Sequence, residues 1–180
     1  MHPEILSIAL FWFVTAYTPG PNNVVASYSG FNFGITKTIP HILGVTLGFT
    51  SLVIFLTIGL INVFKLFPII QIIIKYLGTI FLIYLAYKIA SSTNSDETKK
   101  ENPVKFLETF LFQYLNPKGV MVAIIVVSTY VELGENYINY ATQVVLLAFL
   151  FSLTSITLWT FIGKFLRKFA TNDKFIKYFN

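Results

Sequence analysis

Two hydrophobic stretches of this chain are interrupted by proline and asparagine, one in each half of the sequence. They read Thr18-Pro19-Gly20-Pro21-Asn22-Asn23 and Gln113-Tyr114-Leu115-Asn116-Pro117-Lys118. Such breaks free backbone carbonyls and amides in the middle of a membrane, where they are tolerated only if they line a cavity or meet protein partners. A matched pair of interrupted helices is the best sequence indicator of a transporter's substrate site. These residues therefore predict the binding of a polar ligand.

The first interruption is dense in residues that break or cap helices. Pro19 and Pro21 carry no amide hydrogen, so carbonyls about one turn earlier lose their partners. Gly20 supplies a flexible joint. The side-chain amides of Asn22 and Asn23 can bind a polar ligand or cap the start of the continuing helix. A simple proline kink is the alternative, but a kink does not require this many such residues.

The second interruption carries a positive charge. Lys118 lies near the centre of its predicted span, where a charge costs about 2.5–3.5 kcal/mol, and no acidic residue lies at comparable depth. A lysine beside a helix N-terminus is a site for a carboxylate. Gln113, Asn116 and Pro117 are predicted to belong to the same site. The alternative is that Lys118 lies at a re-entrant bend and extends to water.

An amino acid fits these groups. Its carboxylate can meet Lys118, and its ammonium can meet the freed carbonyls together with the side-chain oxygens of Asn22, Asn23 and Asn116. Without a buried acid, metal cations are poor substrates, because hard cations require several anionic oxygens. The sequence shows no nucleophile–base pair, phosphate loop or metal-ligand spacing, so we expect neither an enzyme nor a bound cofactor.

Composition places these interruptions in a membrane protein. The 180 residues are 55% hydrophobic and only 12% charged, with a mean hydropathy of +0.70, whereas soluble domains carry about 25% charged residues. The apolar stretches are long enough to span a bilayer. We predict an all-α, polytopic membrane protein with spans at 4–28, 39–63, 68–90, 105–130 and 138–162.

The order of the spans predicts an inverted repeat. Residues 1–90 form a first repeat of three helices, with the first helix broken at 18–23. A polar linker, 91–104, separates it from a second repeat, 105–180, which has a helix broken at 116–118, one further span and a basic tail at 163–180. An odd number of spans per half gives the halves opposite orientations. The sixth span is missing, which favours a truncated chain over a protein that works with five spans.

Lysines in the loops predict the orientation of the chain. Basic residues gather in the first and third loops and after the fifth span, and positive loops face the cytoplasm. The linker 91–104 and the tail 163–180 are then cytoplasmic, and the N-terminus lies outside. The charges of the linker are mixed, so we expect the lipid bilayer and no nucleic acid as a partner. The oligomeric state stays open, a homo-oligomer included.

Three further residues in the second span have structural interpretations. Gly44 and Gly48 lie four apart, so they share one helix face and permit close packing of a neighbouring helix. His41 follows Pro40 at the predicted start of this span. Anchoring at the membrane interface is its favoured role, and a part in proton coupling is the alternative.

The two interruptions resemble the signatures of the lysine exporter and homoserine/threonine exporter family (LysE/RhtB type) of bacterial amino-acid efflux proteins. The segment 18–23 is similar to the first-helix signature and 110–118 to the fourth-helix signature. Segments 85–91 and 127–131 are most similar to the cysteine and O-acetylserine exporter branch. Glu108 and Gly119 depart from the family pattern. The resemblance implies an inner-membrane protein, commonly of six helices, that exports amino acids in exchange for protons.

These observations together predict a secondary transporter that exports small amino acids or their derivatives. Protons enter as a partner only through the resemblance. The rival from a different class is a non-transporting membrane scaffold or sensor that acts through its basic tail. A cation exporter of related architecture would need buried carboxylates that the chain lacks.

Overall fold

The computed structural model describes residues 2–60, 66–70, 72–73, 76–77, 79–80, 83–84, 87, 104–132 and 134–170. The predicted linker 91–104 lies outside these residues except for Val104. About half of the predicted third span, 68–90, and residues 171–180 of the predicted tail also lie outside them.

The described part of the chain is helical throughout. The helices are α1 (Ile5–Tyr17), α2 (Pro21–Phe55), α3 (Phe106–Leu115), α4 (Pro117–Tyr130) and α5 (Tyr137–Arg167), and a π-helix at Leu56–Leu60 continues α2. Two segments, Pro21–Gly59 and Tyr137–Arg167, are long and apolar enough to cross a membrane. The pair α3 and α4 forms a third candidate span, bent by 60°. The predicted all-α, polytopic membrane fold is confirmed.

Helix α2 reverses direction at Gly34, whose φ of 76° and ψ of 178° lie outside the helical region. The Ser29 and Thr38 hydroxyls are 2.9 Å apart, although nine residues of straight helix would separate them by about 13 Å. We call residues 21–33 the first arm and residues 35–55 the second arm. The interval between the first two predicted spans, which contains Lys37, is therefore a turn at one glycine between two helical arms. Only glycine adopts this positive φ without strain.

Contacts across the bundle define its two ends. At one end, the backbone N–H of His2 donates to Gln143 Oε1 (2.9 Å), and His2 Nε2 lies 3.0 Å from the Tyr130 carbonyl oxygen. At the other end, the Arg167 guanidinium lies 5.1 Å from the centre of the Phe31 ring. We call these the His2 end and the Gly34 end. The broken helix α1–first arm runs from the His2 end to the Gly34 end, and the broken helix α3–α4 runs the opposite way.

Antiparallel broken helices are what an inverted repeat requires. The division into two repeats stays a prediction, and so does the side of the membrane that each end faces. Helix α5 runs past the predicted end of its span to Arg167, so Lys164 and Arg167 occupy its last turn. Positive charges there complement the negative end of the helix dipole.

Small residues set the closest contacts between helices. A Cβ atom on Gly48 would lie 2.6 Å from the Phe110 carbonyl oxygen, and one on Gly44 would lie 2.6 Å from that of Phe106. The prediction that Gly44 and Gly48 permit close packing is therefore confirmed, with α3 as the neighbour. Gly163 brings α5 equally close to the first arm, against the Ser27 carbonyl. These contacts hold both broken helices against the rest of the bundle.

Candidate functional site

The chain breaks at three residues that each precede a proline. Thr18 (ψ 145°), Gly20 (φ −169°, ψ 174°) and Asn116 (ψ 105°) are all extended. Proline disfavours the helical region for the residue before it, which explains all three conformations. Pro21 and Pro117 then occupy the first positions of the following helices, where a missing N–H costs nothing. The sequence therefore dictates where both helices stop and restart.

The first break exposes carbonyl oxygens at the end of α1, and other parts of the protein satisfy them. The Ala16 carbonyl accepts from Asn23 Nδ2 (2.8 Å) and from Ser155 Oγ (2.7 Å). The Tyr17 carbonyl accepts from Trp159 Nε1 at 3.3 Å. The Asn23 amide also donates to the Thr18 carbonyl at 2.8 Å. Asn23 and helix α5 thus satisfy the acceptors that the prolines release.

Lys118 joins the second break to the first. Its Nζ donates to the Thr18 carbonyl (3.1 Å), the Thr18 hydroxyl (3.0 Å) and the Pro19 carbonyl (3.3 Å). A Cβ atom on Gly20 would lie only 3.0 Å from Nζ, so the glycine leaves room for the ammonium. All three oxygens are neutral, and hydrogen bonds to them do not cancel the charge. The ammonium therefore stays an attractive partner for an anion.

A pair of amides forms a second link between the breaks. Asn22 Nδ2 donates to Gln113 Oε1 at 2.8 Å, and Gln113 Nε2 donates back to Asn22 Oδ1 at 3.2 Å. The same Gln113 amide group donates to the Thr109 carbonyl at 2.8 Å. Gln113 is fully buried, so the pair is held in one orientation at the junction of first arm and α3.

The two breaks enclose a cavity of about 80 Å³. One water molecule needs about 10–15 Å³ on the same measure, so the cavity holds several waters or one small solute. Its polar lining residues are Thr15, Asn22, Asn23, Gln113, Asn116, Lys118, Ser152 and Ser155. Its remaining lining residues are Trp12, Ala16, Gly20, Pro21, Val45, Phe49, Gly119, Val122, Ala148 and Ile156. Among the described residues, Lys118 is the one charged residue in this lining.

Two lining residues have buried polar atoms without a hydrogen-bond partner, Asn116 Oδ1 and Trp12 Nε1. Asn116 precedes α4 without capping it through its side chain. The first arm begins after Gly20, which has no side chain to offer. Both half-helices therefore start at the cavity without a side-chain cap. An unpaired buried polar group costs about 1–3 kcal/mol, so a ligand that pairs with one recovers part of that free energy.

Of the predicted site residues, the structure brings seven together in this lining: Gly20, Pro21, Asn22, Asn23, Gln113, Asn116 and Lys118. Pro19 and Pro117 are not among the lining residues, and they act by shaping the breaks. The residues that α1 and α5 contribute were not predicted. Ser152 and Ser155 lie three apart, a pattern compatible with one polar face of α5, but nothing in the sequence pairs that face with α1.

His41 does not anchor the protein at the membrane interface, so that favoured expectation is wrong. Its side chain is 1% exposed, and its Nε2 lies 3.3 Å from the backbone carbonyl oxygen of Asn22. The turn at Gly34 folds the second arm onto the first, which places His41 directly behind the site.

Comparison with known protein families agrees with this arrangement. A family model described as LysE type translocator matches residues 13–179, a range that contains both breaks and every lining residue except Trp12. The chain belongs to the LysE type translocator family. It is therefore a bacterial multi-pass membrane transport protein and not an enzyme, as the sequence predicted.

Individual LysE relatives share about a third of the residues. The cysteine/O-acetylserine efflux protein of Salmonella typhimurium is 30% identical over 166 residues, which are 91% of this chain and 84% of the relative. The protein of the same name from Escherichia coli K12 is 30% identical over 135 residues, 73% of this chain and 68% of the relative. No solved structure matches the chain.

Proposed function

We propose that this LysE protein is a secondary transporter that exports small neutral amino acids or their derivatives from the cytoplasm. The observation that carries the proposal is the meeting of both broken helices at one cavity whose charged lining residue is Lys118. In membrane transporters, discontinuous helices of this kind hold the substrate near the middle of the bilayer.

The substrate carboxylate binds at Lys118 and at the two half-helix N-termini. A carboxylate forms stronger, charge-assisted hydrogen bonds with an ammonium than the neutral oxygens of Thr18 and Pro19 do. The N-terminus of a helix adds backbone N–H groups and a partial positive charge. Since Gly20 and Asn116 provide no side-chain cap, a carboxylate can take that place at either helix.

The substrate ammonium binds acceptors that the protein leaves free. The carbonyls of Ala16, Tyr17 and Thr18 already accept hydrogen bonds from Asn23, α5 and Lys118. We therefore propose that the substrate ammonium binds side-chain oxygens and not the freed backbone carbonyls. Asn116 Oδ1 is the first candidate because it has no partner.

The rest of the lining selects the substrate side chain. No acidic residue among those that the structure describes lines the cavity, so a cationic side chain such as that of lysine would lie beside Lys118 without a counter-ion. The aromatic and aliphatic residues, among them Trp12, Phe49 and Val122, suit a short, neutral side chain. Cysteine and O-acetylserine, the compounds in the relatives' names, meet this description.

Transport proceeds by alternating access in the inner membrane, with the two repeats rocking about the cavity and protons moving in exchange. The N-terminus and the His2 end lie outside, and the linker and tail lie in the cytoplasm. The chain contains no cysteine, so single cysteines introduced at each end can be labelled from one side of intact cells. Labelling of a cysteine at Lys37 from outside would overturn this orientation.

The experiment that tests the function is counterflow with the purified protein in liposomes. Vesicles loaded with unlabelled L-cysteine or O-acetyl-L-serine should take up the same labelled compound faster than vesicles loaded with L-lysine take up labelled lysine. Equal exchange of lysine would contradict the selectivity argument. No exchange of any amino acid would contradict the transport proposal.

The scaffold or sensor alternative makes the opposite prediction for the two regions. Under that alternative, neutralising the basic residues of the tail removes the function, and replacing Asn22 and Asn23 by alanine does not. Under our proposal the Asn22→Ala/Asn23→Ala variant loses counterflow, whereas a variant with Lys174→Gln and Lys177→Gln retains it.

A further inference from the structure

His41 has a buried, titratable side chain. The proposed binding of a zwitterion does not assign it a role. It lies on the second arm with 1% of its surface exposed. The Asn22 carbonyl, 3.3 Å from Nε2, can only accept a hydrogen bond, so Nε2 carries the hydrogen. The other ring nitrogen, Nδ1, then holds a basic lone pair, and it has no hydrogen-bond partner. His41 can therefore bind a proton without losing the bond it already makes.

Asn22 connects this ring to the cavity. Its backbone carbonyl contacts His41, while its side chain pairs with Gln113 and lines the cavity. A charge on the imidazole would therefore lie one residue behind the substrate.

In the part of the chain that the structure describes, positively charged groups outnumber carboxylates on the elements around His41. The titratable groups on the first arm, α3, α4 and α5, with the N-cap of α3, are Tyr28, Lys105, Glu108, Tyr114, Lys118, Tyr130, Tyr137, Tyr140, Lys164 and Arg167, and Lys37 lies on the arm of His41 itself. Glu108 is the one carboxylate among them, and it lies in the first turn of α3, 3.4 Å from the backbone nitrogen of Lys105. Lys118 adds positive charge at the first break, where its Nζ contacts Thr18 and Pro19.

We propose that His41 is the proton-binding residue of the exchange, and that a proton on His41 and a substrate in the cavity exclude each other. This inference rests on the proposed transport function. A proton from the outer solution binds Nδ1 once the substrate has left, and the ring becomes an imidazolium. When the next substrate enters from the cytoplasm, it displaces water from the cavity, and the imidazolium loses the solvent that stabilises its charge in a region of low dielectric constant. The proton leaves Nδ1 for cytoplasmic water, and one proton is exchanged for one zwitterion.

The test separates exchange of substrate from the use of a pH gradient. Wild-type protein, His41→Gln and His2→Gln are reconstituted in liposomes of bacterial polar lipid. Glutamine keeps an N–H donor for the Asn22 carbonyl but does not titrate. Counterflow of L-cysteine and of O-acetyl-L-serine is measured at equal pH on both sides, and accumulation is measured in vesicles with an acidic interior.

Exchange of one proton per substrate gives about a tenfold accumulation for a gradient of about one pH unit. We expect this accumulation from the wild type and from His2→Gln, whose histidine lies at the end of the bundle. We expect His41→Gln to retain counterflow but to accumulate no more substrate than vesicles without a gradient. Full accumulation by His41→Gln would overturn the inference, as would a wild type that exchanges substrate without responding to the gradient.

Two results distinguish a failure of this inference from a failure of transport or of folding. A wild type without counterflow would overturn the transport proposal itself. If His41→Gln and the smaller His41→Asn both lose counterflow, proton release by the wild type decides. Adding O-acetyl-L-serine to the purified wild type in weak buffer at acidic pH should acidify the solution further, and no acidification would overturn the role of His41.

Discussion

The two breaks share one backbone arrangement but differ in their chemistry. At the first, the freed carbonyls of Ala16, Tyr17 and Thr18 are satisfied by Asn23, by α5 and by Lys118. At the second, the Asn116 side-chain oxygen has no partner and the neighbouring residue carries the charge. The hydrogen bonds of the first break thus fix its structure, while the second break provides polar groups that can bind a ligand. Matching interruptions in two halves need not contribute equally to a site.

The largest effect should come from removing the charge at the second break. Lys118→Met keeps most of the length of the side chain but cannot bind a carboxylate. A hydrogen bond to a charged group is worth about 1.5–3 kcal/mol, so we expect efflux to fall by about 10- to 150-fold. Lys164→Met, at an exposed position at the end of α5, is the matched control. Wild-type efflux by Lys118→Met would show that the second break does not provide the binding charge.

Asn23→Asp should damage the first break through its fold. The substitution replaces the donating amide group with an oxygen that faces the carbonyls of Ala16 and Thr18, and unpairing buried polar groups costs about 1–3 kcal/mol each. We expect a lower thermal unfolding temperature in detergent together with weaker transport. Asn116→Leu is the counterpart, and it should weaken transport by removing the acceptor for the substrate ammonium while leaving the unfolding temperature close to wild type. Equal losses of stability in the two variants would remove the distinction between the breaks.

The glycines of the two breaks should differ more modestly. In Gly20→Ala the new methyl group would lie 3.0 Å from Lys118 Nζ, so the ammonium has to move. The extended backbone at Gly20 suits alanine, so the fold should survive, and we expect efflux to fall several-fold. In Gly119→Ala the new methyl group meets no atom nearer than 3.5 Å. That variant should transport like the wild type, and a larger loss there than in Gly20→Ala would reverse our assignment.

The smallest effect should come from removing one hydrogen-bond donor through which α5 contacts the first break. Ser155→Ala removes one bond to the Ala16 carbonyl, which keeps its bond from Asn23. A hydrogen bond contributes about 1 kcal/mol net, which corresponds to a drop of about 2–4 °C in unfolding temperature for a chain of this size. Ser128→Ala, whose hydroxyl bonds only within its own helix and is exposed, should unfold at the wild-type temperature.

The sequence predicts the breaks well because proline acts locally. The missing N–H of Pro21 and the restriction that Pro117 places on Asn116 require no knowledge of distant residues. The same locality explains why the spacing of Gly44 and Gly48 identified a packing face.

The parts that sequence could not predict depend on the packing of distant residues. Ser155 and Trp159 reach carbonyls that lie well over a hundred positions earlier in the chain, and no short pattern encodes that pairing. The burial of His41 follows from the reversal at Gly34, and one glycine in an apolar stretch does not by itself indicate a turn. Lys118 was recognised as a deep charge, but its bonds to Thr18 and Pro19 required the two breaks to be placed side by side.

The turn at Gly34 has a consequence for how the protein can move. A single residue joins the two arms, and the Ser29–Thr38 and Asn22–His41 hydrogen bonds hold them together. We therefore expect the two arms to move as one rigid body. Any rotation of that body relative to α1 must occur at Thr18–Gly20, where the backbone is extended at Thr18 and Gly20. The Lys118 ammonium donates hydrogen bonds to Thr18 and Pro19 in this same segment. A substrate carboxylate that binds the ammonium would weaken those bonds. Filling the cavity would therefore make this segment easier to rotate.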